Sequence, residues 1–187
     1  TKYLREHIQH RNLESHPRLG RIYRIKYRKT PRGVKPAMLG KKPGELVAIL
    51  AHSNGWWRDM AQQLIIDAGD DSVVPALIAL AGDHSQPLGQ IHALWTLEGL
   101  GRINLAAIKA AMASEDPYVL ESVIRLAELL PSIDHVKAIS ILERLAANPD
   151  LVVQRQLAGS LGRLPSVDAL VLLKKVLLNN IEVPFVR

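Results

Sequence analysis

Two stretches decide the fold, and they read Glu115-Asp116-Pro117-Tyr118-Val119-Leu120-Glu121-Ser122-Val123 and Asn148-Pro149-Asp150-Leu151-Val152-Val153-Gln154-Arg155-Gln156-Leu157-Ala158. Proline restricts the residue before it, so each Asp-Pro or Asn-Pro pair is expected to end one helix and open the next. The Asp or Asn side chain can accept hydrogen bonds from the free amides of the new helix. Both stretches therefore predict a turn between two helices.

Similar turns recur at a spacing of roughly 31–34 residues, which is typical of two-helix repeats. Two earlier ones read His52-Ser53-Asn54-Gly55-Trp56-Trp57-Arg58-Asp59-Met60-Ala61 and Ser85-Gln86-Pro87-Leu88-Gly89-Gln90-Ile91-His92-Ala93-Leu94-Trp95. A later pair, Asn179-Asn180, with Pro184 after it, indicates a fifth turn.

Apolar residues accompany each turn at the i, i+3, i+4, i+7 spacing of one buried helix face. In the second helix of each pair the predicted stripes are Trp57, Ala61, Leu64, Ile65; Leu88, Ile91, Trp95; Val119, Val123, Leu126, Leu130; and Val153, Leu157, Leu161, Leu164. In the first helices they are Leu46, Ile49, Leu50; Val74, Leu77, Ile78, Ala81; Leu105, Ile108, Met112; Ile139, Leu142, Ala146; and Leu170, Leu173, Leu177. A single hairpin cannot bury such a stripe alone, whereas stacked hairpins can.

The N-terminal segment has a different character. Residues 1–13 can form a short helix with Leu4 and Ile8 on one side. The alternating, β-branched and aromatic stretch Arg21–Tyr27 predicts a β-strand. Proline and glycine mark residues 29–42 as a linker. We therefore expect residues 1–28 to be the remnant of a preceding domain, residues 29–42 a basic linker, and residues 43–187 a repeat domain.

The repeat pattern resembles the HEAT family of armadillo-like repeats from about Lys42 to Arg187, including the Asp/Asn-Pro turns and the run Val153–Gly162. The prediction is an all-α fold. It consists of an α-solenoid of about four to five HEAT-like helical hairpins, preceded by a short helix and one β-strand.

Charge and composition restrict the possible functions. The net charge of +6 divides unevenly, because residues 1–42 carry +11 and residues 43–187 carry −5. The chain has no cysteine, which excludes a disulfide, a thiolate zinc site and haem attachment through Cys-x-x-Cys-His. No apolar run is long enough to predict a transmembrane segment.

A closer resemblance lies in four short blocks. Leu4–Ile8 and Gly20–Ile25 are similar to the closing propeller strand of glucose/sorbosone-dehydrogenase-like, membrane-bound dehydrogenase proteins of planctomycete-type bacteria. In that family HEAT repeats follow the propeller, and they carry blocks that match Asn54–Asp59 and His92–Gly101 here. The resemblance implies a periplasmic or extracytoplasmic location and a parent protein of the quinoprotein sugar-dehydrogenase type, with a propeller and a cytochrome domain as neighbours. The residues themselves leave a cytoplasmic location open.

The candidate interaction surface comprises Trp56, Arg58, Asp59, His92, Trp95 and Glu98. An aromatic and cationic patch of this kind can bind a partner. The competing interpretation is structural: Trp57 and Trp95 fill the core, Arg58 and Asp59 hold the turn, and His92 bonds to a backbone group. Asp70-Asp71 is expected to cap the next helix. No catalytic residue, cofactor-binding residue or metal ligand is predicted, although His52 and His84 occupy matching points before successive turns.

Three functions remain open at this stage. The first is a non-catalytic scaffold or docking module of a larger dehydrogenase-like, redox protein. The second is a free-standing HEAT adaptor that binds protein or peptide. The third is a nucleic-acid binder of the helical-repeat DNA glycosylase type, which the negative charge of the repeats disfavours because their surface would repel phosphates.

Overall fold

A computed structural model describes residues 2–12, 29, 33–129 and 131–182. The chain divides into two compact units, Thr1–Lys35 and Pro36–Arg187. In the first unit, α1 (Lys2–His10) confirms the predicted short helix, and the Tyr3 hydroxyl lies 2.9 Å from His7 Nε2 one turn away. The predicted strand Arg21–Tyr27 lies outside the described residues.

The second unit is built from nine described helices, and no described residue of the chain lies in a β-strand. The all-α prediction is therefore confirmed for this part of the chain. The helices are α2 (Pro43–Val47), α3 (Gly55–Ala68), α4 (Val74–Ala81), α5 (Pro87–Gly99), α6 (Leu105–Ala111), α7 (Pro117–Ala127), α8 (Pro131–Leu145), α9 (Leu151–Leu161) and α10 (Val167–Asn179). Among the described residues, no helix has the length and apolar character needed to cross a bilayer.

Side-chain caps set the helix starts, as the turn residues predicted. Asp116 Oδ1 accepts from the amides of Tyr118 and Val119 at the start of α7, and Asp70 accepts from the Ser72 amide. At α9 the cap differs from the expectation. Asp150, not Asn148, accepts from a helix amide, so Pro149 precedes the helix instead of opening it.

The helices pack in a regular order. Helices α3, α5, α7 and α9 contact one another in succession, and each also contacts the even-numbered helix that precedes it in the chain. The even-numbered helices α4 and α6, and α8 and α10, contact each other as well. Met38 is buried in the core of this unit. Gly69 ends α3 with φ of 60°, a conformation that side chains with a Cβ rarely adopt.

The core is apolar and follows fixed positions. Counted from the first residue of α3, α5, α7 and α9, the seventh and eleventh positions are fully buried in every helix. Those at the seventh are Ala61, Ala93, Val123 and Leu157, and those at the eleventh are Ile65, Leu97, Ala127 and Leu161. Burial at equivalent positions in helices that pack side by side gives one continuous core.

Two predicted stripes were wrong. In α5 the sequence predicted Leu88, Ile91 and Trp95, yet the buried residues are Gly89, Gln90, Ala93, Leu94, Thr96 and Leu97, because small residues at this face let α5 approach its neighbours. In α10 it predicted Leu170, Leu173 and Leu177, yet Ala169, Leu172 and Val176 are buried. Leu170 is 58% exposed.

Buried glutamines at the fourth position of two helices, α5 and α9, tie each helix to the end of the preceding helix or to the loop after it. Gln90 Nε2 donates to the Ala81 carbonyl at 2.7 Å, and Gln154 Nε2 donates to the Asn148 carbonyl at 2.5 Å. Each glutamine also accepts, through Oε1, a hydrogen bond from a later loop: Gln90 from the Ser114 hydroxyl and Gln154 from the Asn180 amide. The sequence did not reveal this device, because a buried glutamine interrupts the apolar pattern.

Candidate interaction surface

The accessible side of α3, α5, α7 and α9 lies opposite the buried positions. We call it the free face and define it by the second, fifth, ninth and twelfth residues counted from the start of each helix, where the twelfth residue directly follows the last residue of α7 and of α9. All of these residues are partly or fully exposed. They are Trp56, Asp59, Gln63, Ile66; Leu88, Ile91, Trp95, Glu98; Tyr118, Glu121, Arg125, Glu128; and Val152, Arg155, Gly159, Gly162. Trp56, Asp59, Trp95 and Glu98 from the predicted surface belong to this face, and His92 lies beside it at the sixth position.

At the start of α3 the three predicted residues have different surroundings. Trp56 is 51% exposed. Arg58 turns inward, and its Nη1 donates to the carbonyls of His52 and Ser53 at 2.7 and 3.1 Å. Trp57 stacks on the His52 ring, with the ring centroids 4.8 Å apart. Arg58 is therefore a tether of the turn, as the structural interpretation expected, and only Trp56 and Asp59 are available at the surface.

His92 joins α5 to α3. Its Nδ1 lies 2.8 Å from Gln62 Oε1, and its Nε2 lies 4.0 Å from Asp59 Oδ1. The expected backbone partner of His92 is thus replaced by a glutamine side chain. Partial burial lowers the pKa of His92, and the nearby Arg58 charge adds to this effect, while Asp59 acts in the opposite direction. The ring is therefore mainly neutral at pH 7, and because Gln62 Oε1 can only accept, the tautomer protonated at Nδ1 donates to it.

Trp95 joins α5 to α7. The guanidinium carbon of Arg125 lies 5.2 Å from the centroid of the Trp95 ring, which is within the range of a cation–π contact. Trp95 is partly buried and packs against the edge of the core. Glu98 is one turn further along the same face and is partly exposed.

The structure adds a third connection, between α7 and α9. Glu128 accepts from Arg163 Nε at 2.9 Å and Arg163 Nη2 at 2.5 Å, and it also accepts from the Ser160 hydroxyl. Burial raises the pKa of Glu128, but the hydrogen bonds from Arg163 and Ser160 outweigh it, so that the pKa is lowered overall. Sequence reasoning missed this cluster, since Glu128 and Arg163 are 35 residues apart.

The structure thus brings His92 to Asp59 and close enough to Arg58 for its charge to act on the imidazole. Among the described residues, no side-chain hydrogen bond, ion pair or ring contact joins Trp56 or Glu98 to them. The three connections, His92 with Gln62, Trp95 with Arg125, and Glu128 with Arg163, run in order from α3 to α9. Within the described ranges, no group of three or more His, Cys, Asp or Glu side chains is placed to hold a metal ion. The arrangement can present aromatic, cationic and acidic groups on a fixed surface.

Comparison of this chain with protein-family models, with curated proteins and with solved structures finds no match in any of the three.

Proposed function

We propose that this chain is a non-catalytic docking module, an α-solenoid of HEAT-like hairpins whose free face binds a protein or a neighbouring domain. The observation that carries the proposal is the constancy of position. In α3, α5, α7 and α9, which pack in succession, the seventh and eleventh residues are buried, while the second, fifth, ninth and twelfth are accessible. Constant roles at a fixed period are expected of stacked repeats.

The hydrogen bonds of Gln90 and Gln154 support the repeat interpretation. Both side chains stand at the fourth helix position, donate to the loop before their own helix, and accept from the loop that follows the next even-numbered helix. Two residues about two repeat lengths apart therefore make equivalent connections. Arg102 and Arg163 behave similarly, since each follows a helix of the same series and pairs with an acid roughly one repeat earlier, Asp71 and Glu128.

The contacts on the free face support docking. His92, Arg125 and Arg163 each engage a residue of an adjacent helix, which fixes the relative positions of the exposed groups. A surface whose side chains are already held in place loses less conformational entropy on binding. Exposed tryptophan and tyrosine, such as Trp56 and Tyr118, are residue types that often anchor protein interfaces.

We also propose that this chain is part of a larger protein. The blocks Asn54–Asp59 and His92–Gly101 support a place within a larger dehydrogenase-like, extracytoplasmic protein of quinoprotein sugar-dehydrogenase type. The module would then hold a propeller and a cytochrome domain at a fixed separation. The reading frame on both sides of the chain tests this step, and flanking sequence without a propeller or a cytochrome motif would contradict it.

Peptide-display selection against the purified chain tests the docking function. We expect enriched peptides whose affinity, measured by calorimetry, falls about tenfold when Trp95 or Tyr118 is replaced by alanine. Leu170→Ala is the matched control, because Leu170 is exposed on α10 and not on the free face. Absence of any peptide that responds to free-face substitution would contradict docking. Sugar oxidation by the chain with an artificial acceptor would contradict its non-catalytic character.

Deletion tests the repeat architecture. Residues 36–130 contain α2 to α7, which would be three hairpins, and about three repeats suffice for a stable stack. We expect this fragment to keep its helical circular dichroism and to unfold cooperatively at a lower urea concentration than the full chain. A fragment without helical structure would contradict the solenoid and favour a single inseparable core.

A further inference from the structure

An exposed apolar row runs along one end of the free face. The second residues of α3, α5, α7 and α9 are Trp56, Leu88, Tyr118 and Val152, and we call this set the ridge. The first three are 51%, 47% and 58% exposed, respectively, and Val152 is partly exposed. Single exposed apolar residues are ordinary on protein surfaces, but here four stand at the same position of helices that pack in succession, and grouped exposed apolar residues can mark an interaction site.

The loops and first turns around the ridge are acidic. Residues 52–59, 83–91, 114–121 and 148–155 contain six acidic residues and two arginines, a net charge of −4. The helix N-termini at this edge would by themselves attract anions. However, the side chains of Asn54, Asp116 and Asp150 already accept hydrogen bonds from the amides there. The excess of carboxylates therefore makes the net charge at this edge negative.

An open cleft of about 510 Å³ lies beside the centre of the ridge. It is lined by His84, Pro87, Ala113, Ser114, Glu115, Asp116 and Pro117, and the two prolines directly precede Leu88 and Tyr118. The exposed Glu115 makes no hydrogen bond or ion pair among the described residues, and Asp116 uses Oδ1 for the helix cap. A long basic side chain entering this cleft would meet one carboxylate that has no other partner.

We propose that the ridge binds an extended polypeptide segment in which an apolar residue recurs at every third position and arginine or lysine lies between the apolar residues. This inference rests on the docking function proposed above and specifies its partner. Packed helices lie about 8–10 Å apart, and a chain in the extended polyproline II conformation advances about 3.1 Å per residue with three residues per turn. Apolar side chains three residues apart would therefore lie on one side of the peptide and meet successive ridge residues. The basic side chain between two of them would enter the cleft at Glu115.

The test uses the full chain and a fluorescein-labelled peptide of four Leu-Arg-Ser units, about twelve residues, whose leucines match the ridge spacing in the polyproline II conformation. Fluorescence anisotropy should show this peptide binding at least about tenfold tighter than Leu-Glu-Ser or Ser-Arg-Ser repeats of equal length. Equal affinity for the Leu-Glu-Ser peptide would overturn the charge requirement. Equal affinity for the Ser-Arg-Ser peptide would overturn the apolar requirement.

Single substitutions test whether the peptide binds at the ridge. Tyr118→Ser should weaken the Leu-Arg-Ser peptide about tenfold. Glu115→Gln should weaken it less, with an effect that shrinks at high salt because exposed charges are screened. Val136→Ser is the control, since Val136 is exposed on α8, outside the free face, and it should leave affinity unchanged. Circular dichroism confirms that each variant is folded, and equal binding by all three variants would overturn the site.

The two proposals fail in different ways. If display selection yields peptides that need the free face but carry no basic residues, docking stands and the ridge inference is wrong. If selection yields none and the Leu-Arg-Ser peptide does not bind, both are wrong. Binding of duplex DNA in competition with the peptide, abolished by Tyr118→Ser, would overturn the polypeptide as occupant.

Discussion

The buried face and the free face of α3, α5, α7 and α9 differ in the types of residue found at equivalent positions. At the seventh position the residues are Ala61, Ala93, Val123 and Leu157, all apolar and fully buried. At the ninth position they are Gln63, Trp95, Arg125 and Gly159, which share no chemical property. The contrast teaches that packing against neighbouring helices fixes one side of each helix, while the other side is available for recognition.

Loss of a core side chain should give the largest effect. We expect Leu157→Ala to lower the free energy of unfolding by about 2–5 kcal/mol, because it removes buried apolar surface and leaves a cavity. Urea denaturation measures the change. The same substitution at the 58% exposed Leu170 should cost less than about 0.5 kcal/mol. Equal losses at both sites would break the distinction between buried and accessible positions.

Gln154 offers a sharper version of the comparison, because it is polar and yet buried. Gln154→Leu leaves the Asn148 and Leu145 carbonyls without this donor, and we expect it to cost about 1–3 kcal/mol in urea denaturation. Gln63→Leu is the matched control on the free face, where the side chain of Gln63 donates to the exposed Asp67 and to no other described residue. A neutral Gln154→Leu would show that the loop connections do not contribute to stability.

Glu128, at the twelfth position of the free face, makes the comparison depend on pH. Its pKa is lowered in the folded state, since its bonds to Arg163 and Ser160 outweigh the opposing effect of burial. Its contribution is therefore present above the unfolded glutamate pKa of about 4.3 and is lost as pH falls through the lower folded value. Because the Arg163 side chain is 59% exposed to solvent, although Glu128 is only 18% exposed, we expect at most about 1 kcal/mol. In the Glu128→Gln variant, the free energy of unfolding should fall less steeply at acidic pH than in the control variant Glu98→Gln. Identical dependence on pH in the two variants would contradict the prediction.

The smallest effect should be at His92, on the edge of the free face. Burial lowers the pKa of His92, the charge of Arg58 lowers it further, and Asp59 opposes both effects. The midpoint of the NMR titration of His92 should therefore lie below the ordinary histidine value of about 6.5. Neutral His92 stabilises the fold above that value, and this contribution declines as pH falls towards the folded pKa. Asp59→Asn should lower the midpoint further. An unchanged or higher midpoint in this variant would exclude the contact.

The sequence predicted the helical class and most turns because Asp116-Pro117 and similar pairs act locally. It misplaced the core of α5, where Gly89, Gln90 and Ala93 face inward and the bulky Leu88 and Trp95 do not. In α10, leucine and valine occur on all sides, so periodicity could not choose a face.

The candidate surface was only partly visible in the sequence. From the block Asn54–Asp59, the sequence predicted that Trp56 and Asp59 belong to an interaction surface, and both are exposed at the start of α3. Arg58, from the same block, turned out to bind loop carbonyls. Glu128 and Arg163 could not be paired from the sequence, because their contact depends on how α7 and α9 pack.

The exposed leucine of α10 has a consequence for handling the purified protein. Leu46, Leu77, Ile108, Ile139 and Leu170 follow one another at intervals of 31 residues. The first three are buried, whereas Leu170, together with Leu178 and Ile181, meets the solvent. Salts that strengthen apolar association, such as ammonium sulfate, should therefore promote self-association of the protein through the exposed apolar residues of α10, while they also stabilise the fold.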